Sequence, residues 1–90
     1  MFTLADHPKP TPYTSYESIG GQTVIINLKT GVYFSLNTTG SFMWERLDGQ
    51  TTLAEIAAAL SDACDAEIWV TEPDVLALAA ELQAEGLLRS

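Results

Sequence analysis

The sequence predicts an α+β fold in which a three-stranded antiparallel sheet is followed by three helices. Up to residue 36, short runs of β-branched and aromatic residues are separated by glycine-containing turns, which is typical of strands joined by hairpins. From residue 37 onward, apolar residues recur three and four positions apart, which is typical of helices packed on a core. Ninety residues with a hydrophobic fraction of 47% suffice for one small domain.

The first twelve residues predict an extended arm outside the folded domain. Pro8, Pro10 and Pro12 alternate with other residues, and proline neither donates a backbone hydrogen bond nor fits a helix interior. We therefore expect residues 1–12 to form a flexible, poorly paired arm and residues 13–90 to form the domain.

The first two strands are expected at residues 13–19 and 23–28. Between them, Gly20-Gly21 supplies the positive φ angles that a tight hairpin requires. The second strand consists of good β-formers, and both of its faces are partly apolar.

The third strand is expected at residues 32–36, after a hairpin loop in which Gly31 takes the left-handed position. Alternation directs Val32, Phe34 and Leu36 toward the core and Tyr33 and Ser35 away from it. In a simple meander this strand is an edge, so that backbone N–H and C=O groups on its outer side are unpaired.

The first two helices are identified by their caps. Asn37 is a good N-cap, and apolar residues over 40–47 follow at helical spacing until Asp48-Gly49 ends the helix. Thr52 and Glu55 then form a capping-box pair that opens the second helix.

A third helix is expected to begin at Thr71, after an irregular connection over residues 64–70. Thr71 is a good N-cap, Pro73 lies in the first turn where its missing N–H costs nothing, and Gly86 is the expected C-cap. The residues expected to face the core are Val75, Leu78, Ala79 and Leu82.

No set of side chains in the sequence predicts catalysis. His7, the only histidine, lies in the proline-rich arm without a nucleophile or carboxylate to orient it. Cys64, the only cysteine, cannot form an internal disulfide and has no basic neighbour that would favour its thiolate. We therefore expect a protein that is not an enzyme and has no catalytic residue, metal site or cofactor.

The charge balance argues against nucleic-acid binding. Four basic and twelve acidic residues give a net charge of −8, which repels a phosphate backbone. A winged helix-turn-helix has a similar order of elements, but a recognition helix from residues 52–63 or 73–85 would carry acids and no Lys or Arg. No signal peptide or apolar run of roughly 20 residues is present, so we expect a cytoplasmic protein that does not contact the membrane.

The expected edge strand over residues 32–36 is the best candidate for a binding site. Edge strands usually carry protective charge, and this one carries little. An uncharged edge beside an apolar helix suits strand addition, in which main-chain hydrogen bonds supply affinity and side-chain pockets supply selectivity. The plainer alternative is an ordinary edge strand whose residues serve only the core and the surface.

The sequence resembles the PqqD-like family, the recognition elements that bind precursor peptides which are made ribosomally and then modified. The more specific part of the resemblance is a pattern present as Thr30-Gly31, Tyr33, Leu36-Asn37, Gly40, Trp44, Leu47 and Gly49. A weaker part is the ending, present as Asp74-Val75, Leu82 and Gly86-Leu87-Leu88. The resemblance spans residues 13–88.

The resemblance implies a winged-helix-like fold that binds the leader peptide of a precursor as an additional strand along the third strand, beside the third helix. The peptide-binding residues that it implies are Val32, Tyr33, Phe34, Ser35 and Leu36 on the strand and Asp74, Val75, Leu76, Leu78 and Ala79 on the helix. The implied partners are the separate cysteine leader protease and the ATP-dependent macrolactam synthetase of lasso peptide biosynthesis. One alternative is a radical SAM enzyme, as in pyrroloquinoline quinone biosynthesis.

Two other functions fit the same pattern of elements. An acidic winged-helix regulator would act through protein contacts, without binding DNA. A structural subunit without a peptide ligand would have its edge strand covered, for instance by a dimer.

Overall fold

The computed structural model describes residues 2–90 and has a main sheet of three antiparallel strands followed by three helices, which confirms the predicted α+β class. The elements are β1 (Lys9–Pro10), β2 (Thr14–Ile19), β3 (Gln22–Asn27), β4 (Tyr33–Leu36), α1 (Thr38–Trp44), α2 (Leu53–Cys64), α3 (Ile68–Ala84) and β5 (Leu88–Arg89). The main sheet has the order β2-β3-β4, and β1 pairs separately with β5. Among the described residues, no helix is both long enough and apolar enough to cross a membrane.

The turn between β2 and β3 has the predicted geometry. Gly20 and Gly21 have φ angles of 61° and 80°, and Ile19 pairs with Gln22 across a two-residue loop. Positive φ at both central residues matches the right-handed twist of the strands.

The core lies under one face of the sheet, and on β3 that face is the more polar one. Thr23, Ile25 and Asn27 are all buried, whereas Val24 on the other face is 44% exposed. Val32, which was expected to face the core, is 42% exposed because it lies in the connection after Gly31, before β4 begins.

The N-caps of the first two helices are as predicted, but α1 ends at Trp44 and not at Asp48-Gly49, because the Arg46 and Leu47 N–H groups donate to carbonyls three residues earlier, as in a turn. The Asn37 side chain accepts a hydrogen bond from the Gly40 N–H at 2.9 Å. The Glu55 N–H donates to the Thr52 hydroxyl at 3.1 Å, and the Thr52 N–H donates to the Glu55 carboxylate at 2.9 Å. Each side chain thereby satisfies N–H groups that have no partner inside the helix.

The third helix starts one turn earlier than predicted, at Ile68 and not after an N-cap at Thr71. Thr71 is buried, and its hydroxyl donates to the Ala57 carbonyl of α2 at 3.0 Å. A tertiary partner thus takes the hydroxyl that was expected to cap the helix. Only residues 65–67 connect α2 to α3, so the expected irregular segment over 64–70 is mostly helical. Pro73 lies inside the helix, where it deprives the Trp69 carbonyl of its usual donor.

The end of α3 is as predicted. Gly86 has a φ of 74°, its N–H donates to the Gln83 carbonyl at 3.0 Å, and the Leu87 N–H donates to the Leu82 carbonyl at 2.9 Å. This pair of bonds is a Schellman motif, in which glycine adopts the left-handed conformation without strain.

The amino-terminal segment corrects the expectation of a poorly paired arm. The carbonyls of Leu4 and Asp6 accept hydrogen bonds from the first N–H groups of α2, each at 2.9 Å, and Phe2 is only 7% exposed. Prolines do not prevent this docking, because the arm contributes acceptors and proline lacks only a donor. Met1 lies outside the described residues, and the division of the chain at residue 13 stays a prediction.

Candidate functional site: the groove between β4 and α3

β4 is an edge strand in the part of the chain that the structure describes. It pairs with β3 on one side, and the sheet ends there. The amino-terminal segment does not pair with that edge, because its strand β1 pairs with β5 through Lys9 and Arg89. The outer side of β4 therefore faces away from the rest of the sheet.

The register of β4 identifies the backbone groups on its open side. The Asn27 N–H donates to the Val32 carbonyl at 2.9 Å, so these two opposed residues form a hydrogen-bonded pair. Along an antiparallel pair of strands, hydrogen-bonded pairs of opposed residues alternate with pairs that do not bond each other. Phe34, two residues after Val32, lies opposite Ile25, and its backbone groups therefore point toward β3 as hydrogen-bonding partners. The N–H and C=O groups of Tyr33 and Ser35, one residue to either side of Phe34, consequently point away from β3.

A groove with a volume of about 490 Å³ lies between β4, the start of α1 and one face of α3. Ten residues line it, namely Phe34, Ser35, Leu36, Asn37, Thr39, Gly40, Asp74, Ala77, Leu78 and Glu81. Strand addition to the outer side of β4 would place a peptide at this groove, so that its inward-facing side chains would meet α3.

The floor of the groove depends on a close approach between α1 and β4. A Cβ atom added to Gly40 would lie 3.1 Å from Leu36 Cδ2 and 3.4 Å from Leu78 Cδ2. Glycine therefore lets α1 pack closely against Leu36, which would have to shift by a few tenths of an ångström to admit a side chain at this position. Leu36 is 4% exposed, whereas Leu78 is only half-buried and presents apolar surface to the groove.

Two different stripes of α3 serve the groove and the core. Asp74, Ala77, Leu78 and Glu81 follow one another at helical spacing and line the groove. Val75 and Ala79 are 1% and 0% exposed and belong to the core. The two stripes are adjacent on the helix, and for this reason the sequence analysis assigned residues of both stripes to a single face.

The structure brings together part of the set of site residues that was expected from the sequence. Phe34, Ser35, Leu36, Asp74 and Leu78 line the groove. The backbone N–H and C=O groups of Tyr33 lie on the open side of β4, whereas its side chain, which is 68% exposed, lies on the outer face of the sheet. Peptide contact by any of these residues stays a prediction.

The other expected residues lie outside the groove. Val32 precedes β4, Leu76 is partly buried against the core, and Val75 and Ala79 lie within it. The lining residues that sequence reasoning missed are Asn37, Thr39, Gly40, Ala77 and Glu81. The spacing of three, four and seven residues from Asp74 was the signal that would have found Ala77 and Glu81.

The family model described as coenzyme PQQ synthesis protein D (PqqD) matches residues 22–88. No curated protein sequence matches the chain.

Solved structures resemble the whole fold. TbiB1 in complex with the TbiA(beta) leader peptide is 26% identical, with 91% of this chain and 95% of that chain covered and a TM-score of 0.84. A lasso peptide synthetase B1 complexed with its leader peptide is 24% identical, with coverages of 93% and 99% and a TM-score of 0.83. The PqqD part of Methylobacterium extorquens PqqCD, a stand-alone recognition element, is 22% identical, with coverages of 100% and 96% and a TM-score of 0.83. The last two similarities concern the fold alone.

Proposed function

Because this chain belongs to the PqqD family, we propose that it is a non-catalytic adaptor that binds the leader region of a ribosomally made precursor peptide. The leader adds to the main sheet as a strand along β4 and is held against α3. The single observation that carries this proposal is the open side of β4 at the mouth of the groove.

In strand addition, backbone hydrogen bonds and side-chain contacts make different contributions to recognition. The backbone groups of Tyr33 and Ser35 bond the guest strand whatever its sequence, each hydrogen bond contributing about 0.5–1.5 kcal/mol. Alternate guest side chains enter the groove, where Leu36 and Leu78 form an apolar surface. Affinity thus comes largely from the edge, and selectivity comes from the groove.

The adaptor delivers the bound precursor to a modifying enzyme. Holding the leader on a protein that also contacts the enzyme raises the effective concentration of the precursor at the active site without any catalytic residue in the adaptor. We assign the partners as the cysteine leader protease and the ATP-dependent macrolactam synthetase of a lasso peptide pathway. The similarity to TbiB1, a structure that contains a leader peptide, supports leader binding, and the choice of these two enzymes rests on the resemblance of the sequence to the PqqD-like family.

A proline substitution at the open side of β4 tests the proposal. In Ser35→Pro and in Tyr33→Pro, one outward N–H is lost, and we expect affinity for a synthetic leader peptide that the wild type binds to fall about tenfold or more. Ser18→Pro is the matched control, because Ser18 lies on the opposite edge strand, β2, at a position whose N–H also points outward.

Isothermal titration measures the affinities, and circular dichroism verifies that each variant is folded. Unchanged affinity in both β4 variants would contradict strand addition at this edge. If only Ser18→Pro loses affinity for the leader, the guest strand pairs with β2 and not with β4.

The alternative partner is a radical SAM enzyme, as in pyrroloquinoline quinone biosynthesis. The two assignments are separated by adding the adaptor to each candidate enzyme with the precursor. If the adaptor accelerates cleavage of the leader by the protease, the lasso assignment is supported. If the adaptor promotes modification by the radical SAM enzyme and has no effect on the protease, the radical SAM enzyme is the partner instead.

A further inference from the structure

We infer that the groove selects leader peptides in which two basic residues flank an apolar residue, all three on the side of the guest strand that faces α3. The inference rests on the proposed function and specifies the chemistry of the peptide. It follows from the charges, the apolar surface and the spacing of the residues that line the groove.

The charged groups of the groove are all acidic. Asp74 and Glu81 line it, and no lysine or arginine does among the residues that the structure describes. Neither carboxylate has a basic partner there, because the ion pair within the described residues joins Arg46 to Glu45. Both side chains are exposed and free to meet a guest.

The basic residues of the chain are few, and two of them are engaged elsewhere. The Lys29 ammonium lies 4.4 Å from the ring centre of Tyr13, and the Arg46 guanidinium lies 3.5 Å from that of Phe42. With a net charge of −8, the protein repels an acidic peptide and attracts a basic one. The charge of the groove therefore complements lysine or arginine in the guest.

Apolar surface separates the two carboxylates. Leu78 and Ala77 lie between Asp74 and Glu81 on the groove face of α3, and Leu36 lies opposite on β4. An apolar guest side chain at the centre of the groove buries against these residues, whereas a charged one there would lose water without a partner.

Among guest residues on the side that faces the groove, those four apart come nearest to the spacing of the two carboxylates. Asp74 and Glu81 are seven residues apart, hence about 10 Å along the helix at about 1.5 Å per residue. Guest residues i and i+4 lie about 13 Å apart at about 3.3 Å per residue, and both face the groove together with i+2. The flexible stems of lysine and arginine accommodate the difference of about 3 Å. The expected pattern is basic, any, apolar, any, basic.

A phage library of random 12-residue peptides tests this pattern. Selections are made in parallel on the wild type, on Asp74→Asn/Glu81→Gln, and on Asp62→Asn/Glu72→Gln. The last is the matched control, since it removes the same charge outside the groove. We expect basic residues to be enriched at i and i+4 on the wild type and the control, and the enrichment to disappear on Asp74→Asn/Glu81→Gln.

Affinities of the selected peptides, measured at low and at physiological salt, give the size of the effect. We expect Asp74→Asn/Glu81→Gln to weaken binding about 3- to 30-fold and to reduce its salt dependence, while the control changes affinity less than twofold.

Ser35→Pro separates failure of the inference from failure of the proposed function. The inference alone is overturned by peptides that bind Ser35→Pro more weakly than the wild type but show no enrichment of basic residues. Peptides that show the same enrichment when they are selected on Asp74→Asn/Glu81→Gln would overturn it as well. If no peptide is selected, or if selected peptides bind Ser35→Pro unchanged, strand addition fails and the inference fails with it.

Discussion

The side-chain amide of Asn27 donates a hydrogen bond to the backbone carbonyl of Glu85 at 3.0 Å and joins the sheet to the end of α3. The Asn27 side-chain oxygen accepts from the Lys29 and Thr30 N–H groups at 2.9 and 3.2 Å, which holds the turn before β4. One buried amide thus links β4 to the helix that forms the other wall of the groove. Asn27 thus fixes the turn before β4 relative to the end of α3, and it does not line the groove.

Replacing Asn27 by alanine should lower the stability of the domain. The change leaves the Glu85 carbonyl and two turn N–H groups without their partner, so that the free energy of unfolding should fall by about 1–3 kcal/mol. Urea denaturation measures this loss, with the exposed Gln22→Ala on the same strand as a control expected to stay within about 0.5 kcal/mol. Equal stability of the two variants would show that the amide does not join sheet and helix.

Gly40→Ala should weaken leader binding more than it changes stability. The new methyl group would lie 3.1 Å from Leu36 and 3.4 Å from Leu78 and would crowd these two side chains, both of which line the groove. The greater helix propensity of alanine offsets part of the crowding, and we expect the unfolding free energy to change by less than about 1 kcal/mol. Calorimetric titration of the leader would contradict this account if the affinity stayed the same.

Leu78→Ala and Leu82→Ala should separate binding from folding. Leu82 is 0% exposed, and its truncation should cost about 2–5 kcal/mol of stability. Leu78 is half-buried at the groove, so its truncation should cost less stability but reduce leader affinity about tenfold. Thermal melts and titrations of both variants check the contrast, and the reverse ranking of affinities would remove Leu78 from the site.

Phe2→Ala should destabilise the domain. Phe2 is 7% exposed within the core, and removing its ring should cost about 3 kcal/mol. His7→Ala changes an exposed residue of the same segment and should leave the stability within about 0.5 kcal/mol. Coincident urea curves for Phe2→Ala and the wild type would restore the idea of an independent arm.

Acid should destabilise the fold through two exposed carboxylates. The Thr51 and Gln50 N–H groups hold the pKa of Asp48 below its ordinary value, and the Thr52 N–H and hydroxyl do the same for the pKa of Glu55. A carboxyl whose pKa is lowered by folding contributes stability above its ordinary pKa, about 4, and loses it as the pH falls through the lower value.

The melting temperature should therefore fall as the pH drops below about 4, and less steeply in Asp48→Asn/Glu55→Gln than in the wild type. The amides keep acceptor oxygens for the same donors but do not titrate. Melting curves between about pH 2 and pH 7 measure the two slopes, and parallel slopes would mean that these carboxylates do not contribute.

The amino-acid sequence by itself determined the order of the three main strands and three helices, and the turns and caps at several of their ends. The paired glycines after Ile19, the Asn37 cap, the Thr52–Glu55 capping box and the glycine after α3 act over a few residues, so that their effect can be read locally. The open edge of β4 also followed from the order of the hairpins. The resemblance of these residues to the PqqD-like family was confirmed by the match over residues 22–88.

Only the tertiary structure decided which surfaces meet. Both faces of β3 have apolar residues, and the helical layer covers the face with Ile25. Thr71 has a hydroxyl suited to a cap, but packing against α2 gives it the Ala57 carbonyl as its acceptor. The docking of Phe2 and the division of α3 into a core stripe and a groove stripe likewise depend on residues far away in the chain. Local patterns specify conformation, whereas burial depends on which distant element lies opposite, and that is settled only when the whole chain packs.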